Sequence, residues 1–305
     1  MKNIEQQYLE LISHVSENGD QRGDRTGVGT RSVFGATLRH DLSEGVFPAL
    51  TTKRVFWKSA VKEMLWFLTG NTNIRPLVLE GVSIWNEWPH KKYVEATGDK
   101  ISVDEFAKRI GDDEEFAREW GDLGPVYGKQ WVNWDTYEEA GEGLYRKGPG
   151  INQVKQVIED LETNPFSRRH IIEGWNVAQL DEMALPPCHK SYQFHVSDGK
   201  LNCLLYQRSC DMFLGLPFNL VGQAVLTTMI AQQAGLTPGE IVWTGGDVHV
   251  YLNHADAINE QLGRTPRELP RYSINAAKDI DSYCPEDFTV EGYDPHSSIK
   301  APVAV

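Results

Sequence analysis

Cys188-His189 is followed, about twenty residues later, by Arg208-Ser209, Asp211, Gly215 and Pro217-Phe218-Asn219. A thiol, a guanidinium, a carboxylate and a carboxamide so spaced suit covalent chemistry on an anionic ring that carries an amide. A cysteine attacks as its thiolate, and an ordinary thiol pKa of about 8.5 leaves little thiolate at neutral pH unless a cation or hydrogen bond favours it. Arg208 is the candidate cation. Most free cysteines are small, buried core residues. Pro186-Pro187 before Cys188 and His189-Lys190 after it make a polar, turn-flanked position that suits a core poorly.

The elements that must position these groups follow from hydrophobic alternation. Tyr192, Phe194 and Val196 alternate with Gln193 and His195, Asp198-Gly199 supplies turn chemistry, and Leu201, Cys203 and Leu205 resume the alternation toward Arg208. The pattern predicts a hairpin with Cys188 just before one strand and Arg208 at the end of its partner, so that pairing brings the two together. The most apolar helix candidate runs from about Asn219 to Gln233 and is apolar on most faces, which makes it central. Its N-terminus, beside Asn219 and the Arg208 loop, would help to hold negative charge. Ile241-Val242-Trp243 and His249-Val250-Tyr251 read as one further strand with a glycine break at Gly245-Gly246.

Elsewhere, Ile4, Tyr8, Leu11-Ile12 and Val15 recur at helical spacing, with Gly19 where a terminating glycine would stand. Asp24 to Thr30 is a glycine-rich loop that carries Arg25. Val61, Met64-Leu65 and Leu68 mark a second helix closed by Gly70, and Glu63 lies between its apolar positions, where a solvated acid is the ordinary reading. Ile84-Trp85-Asn86-Glu87-Trp88 is an aromatic cluster, and the densely charged segment from about 91 to 119 reads as a peripheral helical insertion. A helix around Val154 to Leu161 is stopped by Pro165, and Ser167-Arg168-Arg169 precedes a strand-like Ile171-Ile172-Glu173. Mixed strands and helices without regular βαβ alternation imply an α+β fold.

At 305 residues with 40% hydrophobic content, and with no linker, repeat or low-complexity tract, residues 1–305 read as a single catalytic domain. No segment has the roughly 18 apolar residues of a membrane span and the start lacks a signal peptide, so a soluble, cytoplasmic protein is expected. Cysteines 188, 203, 210 and 284 form neither a C-x-x-C pair nor a zinc-ligand spacing, which fits a reducing compartment and predicts no metal. A net charge of −13 argues against coating nucleic acid and requires a local arginine cluster for any anionic ligand.

Laid out together, these segments resemble the thymidylate synthase family nearly from end to end. The matching segments are Asp24-Arg25-Thr26-Gly27, Glu63 with Leu65-Trp66-Phe67-Leu68, Gly121 to Gly128, Ser167-Arg168-Arg169, Pro187-Cys188-His189, Gln207 to Asp211, Leu216 to Asn219, His249-Val250-Tyr251 and Lys300 to Val305. Only the insertion at 91–119 lies outside the pattern. The resemblance implies an α+β homodimer, a mixed sheet packed against helices with the sheets stacked at the subunit interface, and dUMP and 5,10-methylenetetrahydrofolate as substrates.

By the same resemblance, Cys188 would add to C6 of the uracil. Arg25, Arg208 and Ser209 would hold the phosphate with Arg168 and Arg169 from the other subunit. Asn219 would read the ring, accepting from N3–H and donating to O4, and His249 and Tyr251 would meet the ribose 3′-hydroxyl. Glu63 and Tyr127 would move protons at O4 and C5, with His189 supporting that network. On the folate side stand Asp211, Ile84, Trp85, Trp88, Leu185, Gly215, Phe218 and Val303, with Lys53 and Arg54 as contacts for its polyanionic tail.

The nearest rival reaction is dUMP hydroxymethylation, in which water rather than hydride meets the same methylene intermediate. Trp85 and an intact C-terminal tail favour hydride. Asn86, Phe56 and Gly222-Gln223 depart from common family residues, and Gly222 would remove volume near the pyrimidine. Asn219 disfavours dCMP as substrate. A cysteine hydrolase would need a histidine oriented toward the thiol, and the adjacent His189 is poorly placed for that. A nucleic-acid-binding role gets no support from the acidic composition.

Overall fold

The computed structural model describes residues 2–24 and 26–303. In chain order its elements are α1 (Ile4–Asn18), β1 (Asp20–Arg22), β2 (Thr30–Asp41), α2 (Trp57–Leu68), α3 (Arg75–Leu79), α4 (Glu87–Thr97), α5 (Val103–Asp112), α6 (Glu114–Trp120), α7 (Gly128–Val132), β3 (Tyr137–Gly141) and β4 (Leu144–Lys147). They continue with α8 (Gln153–Thr163), β5 (Ile171–Glu173), β6 (His189–Ser197), β7 (Lys200–Asp211), α9 (Leu216–Gln233), β8 (Thr237–Tyr251), α10 (Ala255–Leu262), β9 (Arg271–Ile274) and β10 (Phe288–Glu291). The backbone groups into two compact units, one of residues 1–61, 158–171 and 188–304 and the other of residues 62–157 and 172–187.

The first unit is built on a mixed sheet of order β1-β2-β8-β7-β6-β5. Strands β6 and β7 form the expected hairpin, with Ser197 opposite Lys200 and His189 opposite Gln207. Asp198 and Gly199 both take positive φ (51° and 72°), the twist a two-residue hairpin turn needs. Strand β7 runs on past Arg208 to Asp211 and pairs there with β8, so the arginine lies beyond the end of β6 but inside its own strand. Strands β7 and β8 are parallel, and α9 is the crossover that a parallel pair requires.

Helix α9 begins at Leu216, three residues before the apolar pattern suggests, because Pro217 is well suited to a first helical turn. From Leu216 to Ala231 only Phe218 and Asn219 are not buried. Strand β8 is continuous: Gly245-Gly246 does not break it. A Cβ on Gly246 would meet the Arg208 carbonyl oxygen at 2.9 Å and one on Gly245 would strike the Trp243 ring at 2.4 Å, so the glycines serve close approach. Burial along β8 also changes phase there, from Ile241, Trp243 and Gly245 to Gly246, Val248 and Val250.

Helix α1 starts with a capping box between Asn3 and Gln6 and buries Ile4, Tyr8, Ile12 and Val15. Gly19 caps it in extended rather than left-handed conformation; a Cβ there would sit 2.4 Å from the Val15 carbonyl oxygen and 2.9 Å from Ser32 N, so space and not φ demands glycine. The buried Glu5 carboxylate accepts four hydrogen bonds of 2.6–2.8 Å from the backbone and hydroxyls of Thr51 and Thr52, which pins the segment that carries Lys53.

The second unit holds short helices and an aromatic core. Phe67 and Tyr127 stack at 4.8 Å, and Phe67 meets Trp85 and Trp131 edge-on at 6.3 and 5.3 Å. Helices α4, α5 and α6 occupy most of the charged segment; α5 has a Ser102–Glu105 capping box and buries Phe106 and Ile110. Arg75 on α3 donates to the carbonyl oxygens of Ile110 and Gly111, both at 3.2 Å. Strands β3 and β4 form an exposed hairpin that the sequence reading does not anticipate.

Candidate active site

In the first unit the hairpin brings Cys188 and Arg208 together. The Arg208 N–H donates to the Cys188 carbonyl oxygen at 2.9 Å, and an Nη2 of the guanidinium lies 3.9 Å from Sγ. A fixed positive charge at that distance favours the thiolate over the thiol. Cys188 is partly exposed, whereas Cys203 and Cys210 are buried and burial pushes both thiols up, Cys203 to about 12. Among these cysteines Cys188 has the surroundings of a nucleophile.

Next to it, Asn219 is held in one orientation. The Trp243 indole can only donate, and it donates to Gln207 Oε1 at 2.8 Å, so the Gln207 amide nitrogen faces Asn219 Oδ1 at 3.0 Å and donates to it. His189 is buried, hydrogen-bonds Tyr192 through Nδ1 at 3.0 Å, and lies against Asn219. Burial pushes its pKa down to about 4 against the opposing effect of the Asn219 hydrogen bond, so the imidazole is neutral near pH 7. The carboxamide therefore presents a defined acceptor and donor pair, which is what recognition of an amide edge requires.

Around this centre, Asp211 Oδ1 accepts from the backbone of Phe213 (2.8 Å) and Leu214 (3.1 Å) and shapes the turn into α9. Gly215 caps that helix and Phe218 lies in its first turn. Lys53 lies 3.6 Å over the Phe213 ring and donates to the Phe213 carbonyl oxygen; burial pulls its pKa down to about 7, with Asp211 acting in the other direction. Ser209 and Asp211 pair with Asp247 and His249 across the β7–β8 ladder, and the Tyr251 ring meets His249 edge-on at 5.3 Å. Arg168 and Arg169 are exposed, and Val303 is 51% exposed. Arg25 lies outside the described residues.

In the second unit, Glu63, Trp85 and Tyr127 form one cluster. Trp85 Nε1 donates to Glu63 Oε1 at 2.7 Å, and the Trp85 ring lies 5.5 Å from Tyr127 and 5.3 Å from Trp88. Glu63 keeps partial exposure as a residue, yet protein crowds its carboxyl and pushes its pKa up to about 7, against the lowering effect of the Trp85 hydrogen bond. Such a carboxyl can both give and take a proton at neutral pH. Tyr127 has φ 24° and ψ −88°, a conformation that costs a non-glycine residue energy, and Gly128 follows because a Cβ there would sit 2.1 Å from the Phe67 carbonyl oxygen. Ile84 and Leu185 are both partly exposed in this unit.

The sequence reading leaves unassigned three residues that hold the site: Gln207, Trp243 and Asp247. A signal for Gln207 exists, since the alternation of Leu201, Cys203 and Leu205 continues to an inward-facing position 207, where a polar side chain needs partners. Gln223, one of the departures noted above, is fully buried and donates to the carbonyl oxygens of Cys203 (3.0 Å) and Val242 (3.1 Å), tying α9 to the parallel strands. Among the described residues no group of three or more His, Cys, Asp or Glu side chains could hold a metal ion, and no helix is long and apolar enough to cross a membrane.

A partly exposed thiol beside an arginine and an oriented carboxamide, on a mixed sheet with a buried crossover helix, is an arrangement that suits an enzyme acting on a small cyclic amide. The family model described as thymidylate synthase matches residues 6–305. A protein named thymidylate synthase from Novosphingobium aromaticivorans is 61% identical over 306 residues, spanning 100% of this chain and 98% of the relative. Proteins of the same name from Cereibacter sphaeroides (58% over 307 residues, 100% of both chains) and Zymomonas mobilis (56% over 303 residues, 99% of both) are similar throughout. The chain belongs to the thymidylate synthase family.

Proposed function

We propose that this protein converts dUMP to dTMP by reductive methylation, with 5,10-methylenetetrahydrofolate as co-substrate. The observation that carries the reading is the Arg208 guanidinium beside the Cys188 thiol, next to an Asn219 carboxamide whose orientation Gln207 sets. Cys188 attacks C6 of the uracil as the thiolate, which turns the unreactive C5 into an enolate-like nucleophile. Asn219 accepts from N3–H and donates to O4, so the negative charge that develops on the ring meets a fixed donor. Cytosine presents the reverse pattern and is refused.

Protonated Glu63 supplies a proton at O4 during that attack, and Tyr127 takes part in removing the proton from C5. The neutral His189 supports Asn219 rather than serving as a base for the thiol. Arg25, Arg208 and Ser209 bind the phosphate with Arg168 and Arg169 of a second copy; the exposure of Arg168 and Arg169, and of Phe34 (89%) and Leu204 (39%) on the sheet, supports a homodimer of stacked sheets.

The donor set fits a folate: the Asp211 carboxylate suits the N–H edge of a pterin, and Trp85, Trp88 and Phe218 suit its flat ring. Ile84, Leu185, Gly215 and Val303 are further folate-side candidates, and for the anionic tail the exposed Arg54 is better suited than Lys53, which is buried against Phe213. The folate supplies a one-carbon unit and then a hydride, leaving as dihydrofolate, and with the hydride's arrival the C6–S bond breaks and Cys188 departs as the thiolate, freeing dTMP. The bacterial relatives and the lack of any membrane-spanning helix among the described residues support a cytoplasmic enzyme.

The test is product analysis with dUMP and 5,10-methylenetetrahydrofolate. Equal amounts of dTMP and dihydrofolate are expected. Hydroxymethyl-dUMP with tetrahydrofolate retained would overturn the synthase reading in favour of water attack.

A further inference from the structure

We propose that Asp247, braced by Arg22, sets the tautomer of His249 and thereby makes His249 Nε2 a hydrogen-bond acceptor for the sugar 3′-hydroxyl. The proposal rests on the dUMP reading above and deepens it. Asp247 and His249 lie two residues apart on β8, and His249 Nδ1 is 2.9 Å from Asp247 Oδ1. A carboxylate can only accept, so Nδ1 carries a proton, and in the neutral ring Nε2 then presents its lone pair. The other carboxylate oxygen, Oδ2, takes a 3.3 Å hydrogen bond from Arg22 Nη1, on the edge strand β1. The hydrogen bond from His249, with the nearby Arg22 guanidinium, holds the Asp247 carboxyl below its usual range despite partial burial.

The ladder fixes this assembly beside the candidate site. Asp247 is opposite Ser209 and His249 opposite Asp211 across β7–β8, and the His249 carbonyl accepts from Met212 N at 2.9 Å. The Tyr251 ring stands edge-on to the imidazole at 5.3 Å. With Nε2 an acceptor and the Tyr251 phenol able to donate, a 3′-hydroxyl that touches both must give its proton to His249. A group that accepts but cannot donate meets an unfavourable lone pair instead.

The experiment compares dUMP with its 3′-deoxy-3′-fluoro analogue. The unsubstituted protein should prefer dUMP by about tenfold or more in kcat/KM, the worth of one hydrogen bond. In Asp247→Asn, Arg22 keeps the amide oxygen on its own side, so the amide N–H faces Nδ1 and the ring proton moves to Nε2. The dUMP KM should then rise about tenfold with kcat little changed, while the fluoro analogue keeps or improves its KM, so the preference collapses. An equal loss for both substrates would mean a merely structural role and overturn the proposal.

Ring ¹⁵N shifts of His249 in the unsubstituted protein give a test that needs no variant to fold. A proton on Nδ1 is expected, and a proton on Nε2 would overturn the proposal. If the unsubstituted protein fails to convert dUMP at all, the functional reading falls and the sugar contact with it, whereas the tautomer is still judged by the ¹⁵N shifts.

Discussion

Replacing Trp85 by phenylalanine separates the two effects that tune Glu63. Crowding raises the carboxyl from 4.5 to about 7, and the 2.7 Å bond from Trp85 Nε1 limits that rise. At 1.36 kcal/mol per pH unit, the net rise costs the ionised form about 3 kcal/mol. A hydrogen bond to a charged group contributes about 1.5–3 kcal/mol, so removing it should carry the midpoint up by at least about one pH unit. Phenylalanine keeps an aromatic ring against Trp66, Phe67, Trp88 and Tyr127, so packing changes little.

Because protonated Glu63 is assigned the proton for O4, kcat/KM for dUMP at saturating folate should fall above about pH 7 in the unsubstituted protein. In Trp85→Phe that alkaline limb should move up by about one pH unit. A limb that stays in place would refute the assignment. Stability offers a second reading of the same group. Glu63 binds its proton more tightly folded than unfolded, so its contribution is complete below the unfolded value near 4.5 and is lost as pH rises through about 7. Denaturant midpoints across this range should extend the loss to higher pH in the variant.

Cys188→Ser should cut turnover by more than about a thousandfold while calorimetric affinity for dUMP stays within about threefold, since an alcohol cannot replace the thiolate; near-normal turnover would contradict covalent catalysis. Asn219→Asp should move the dCMP-to-dUMP ratio of kcat/KM toward dCMP by about a hundredfold or more, and unchanged selectivity would refute the carboxamide's role. Gly128→Ala should lose about 2–4 kcal/mol in urea unfolding, because its Cβ would sit 2.1 Å from a backbone oxygen. Gly111→Ala, in α5 with nothing nearer than 3.7 Å, should instead gain up to about 1 kcal/mol.

The parts of the molecule legible in the sequence are those where local pattern and tertiary demand agree. Alternation around Asp198-Gly199 predicts β6 and β7, and with them the meeting of Cys188 and Arg208, because register follows from the turn. Apolar residues on most faces predict α9 as a central helix, and the parallel β7–β8 pairing then makes it the crossover. Gly19 and Gly245-Gly246 mislead, since each serves close packing against a carbonyl or a ring rather than a left-handed helix stop or a strand break. The β3–β4 hairpin is exposed on every residue and so carries no buried alternation to read. Likewise Glu63 looks like a solvated helix acid until Trp85 is seen to contact it, and Asp247 acquires a role only when the ladder places it beside Arg22 and His249.

The central claim is a transient bond between Cys188 Sγ and C6 of dUMP, and intact-mass analysis of protein acid-quenched during turnover tests it most directly. A nucleotide-mass adduct should appear, map to the peptide that contains Cys188, and vanish in Cys188→Ser. Turnover with no adduct on that peptide, or an adduct on Cys203, Cys210 or Cys284, would contradict the account.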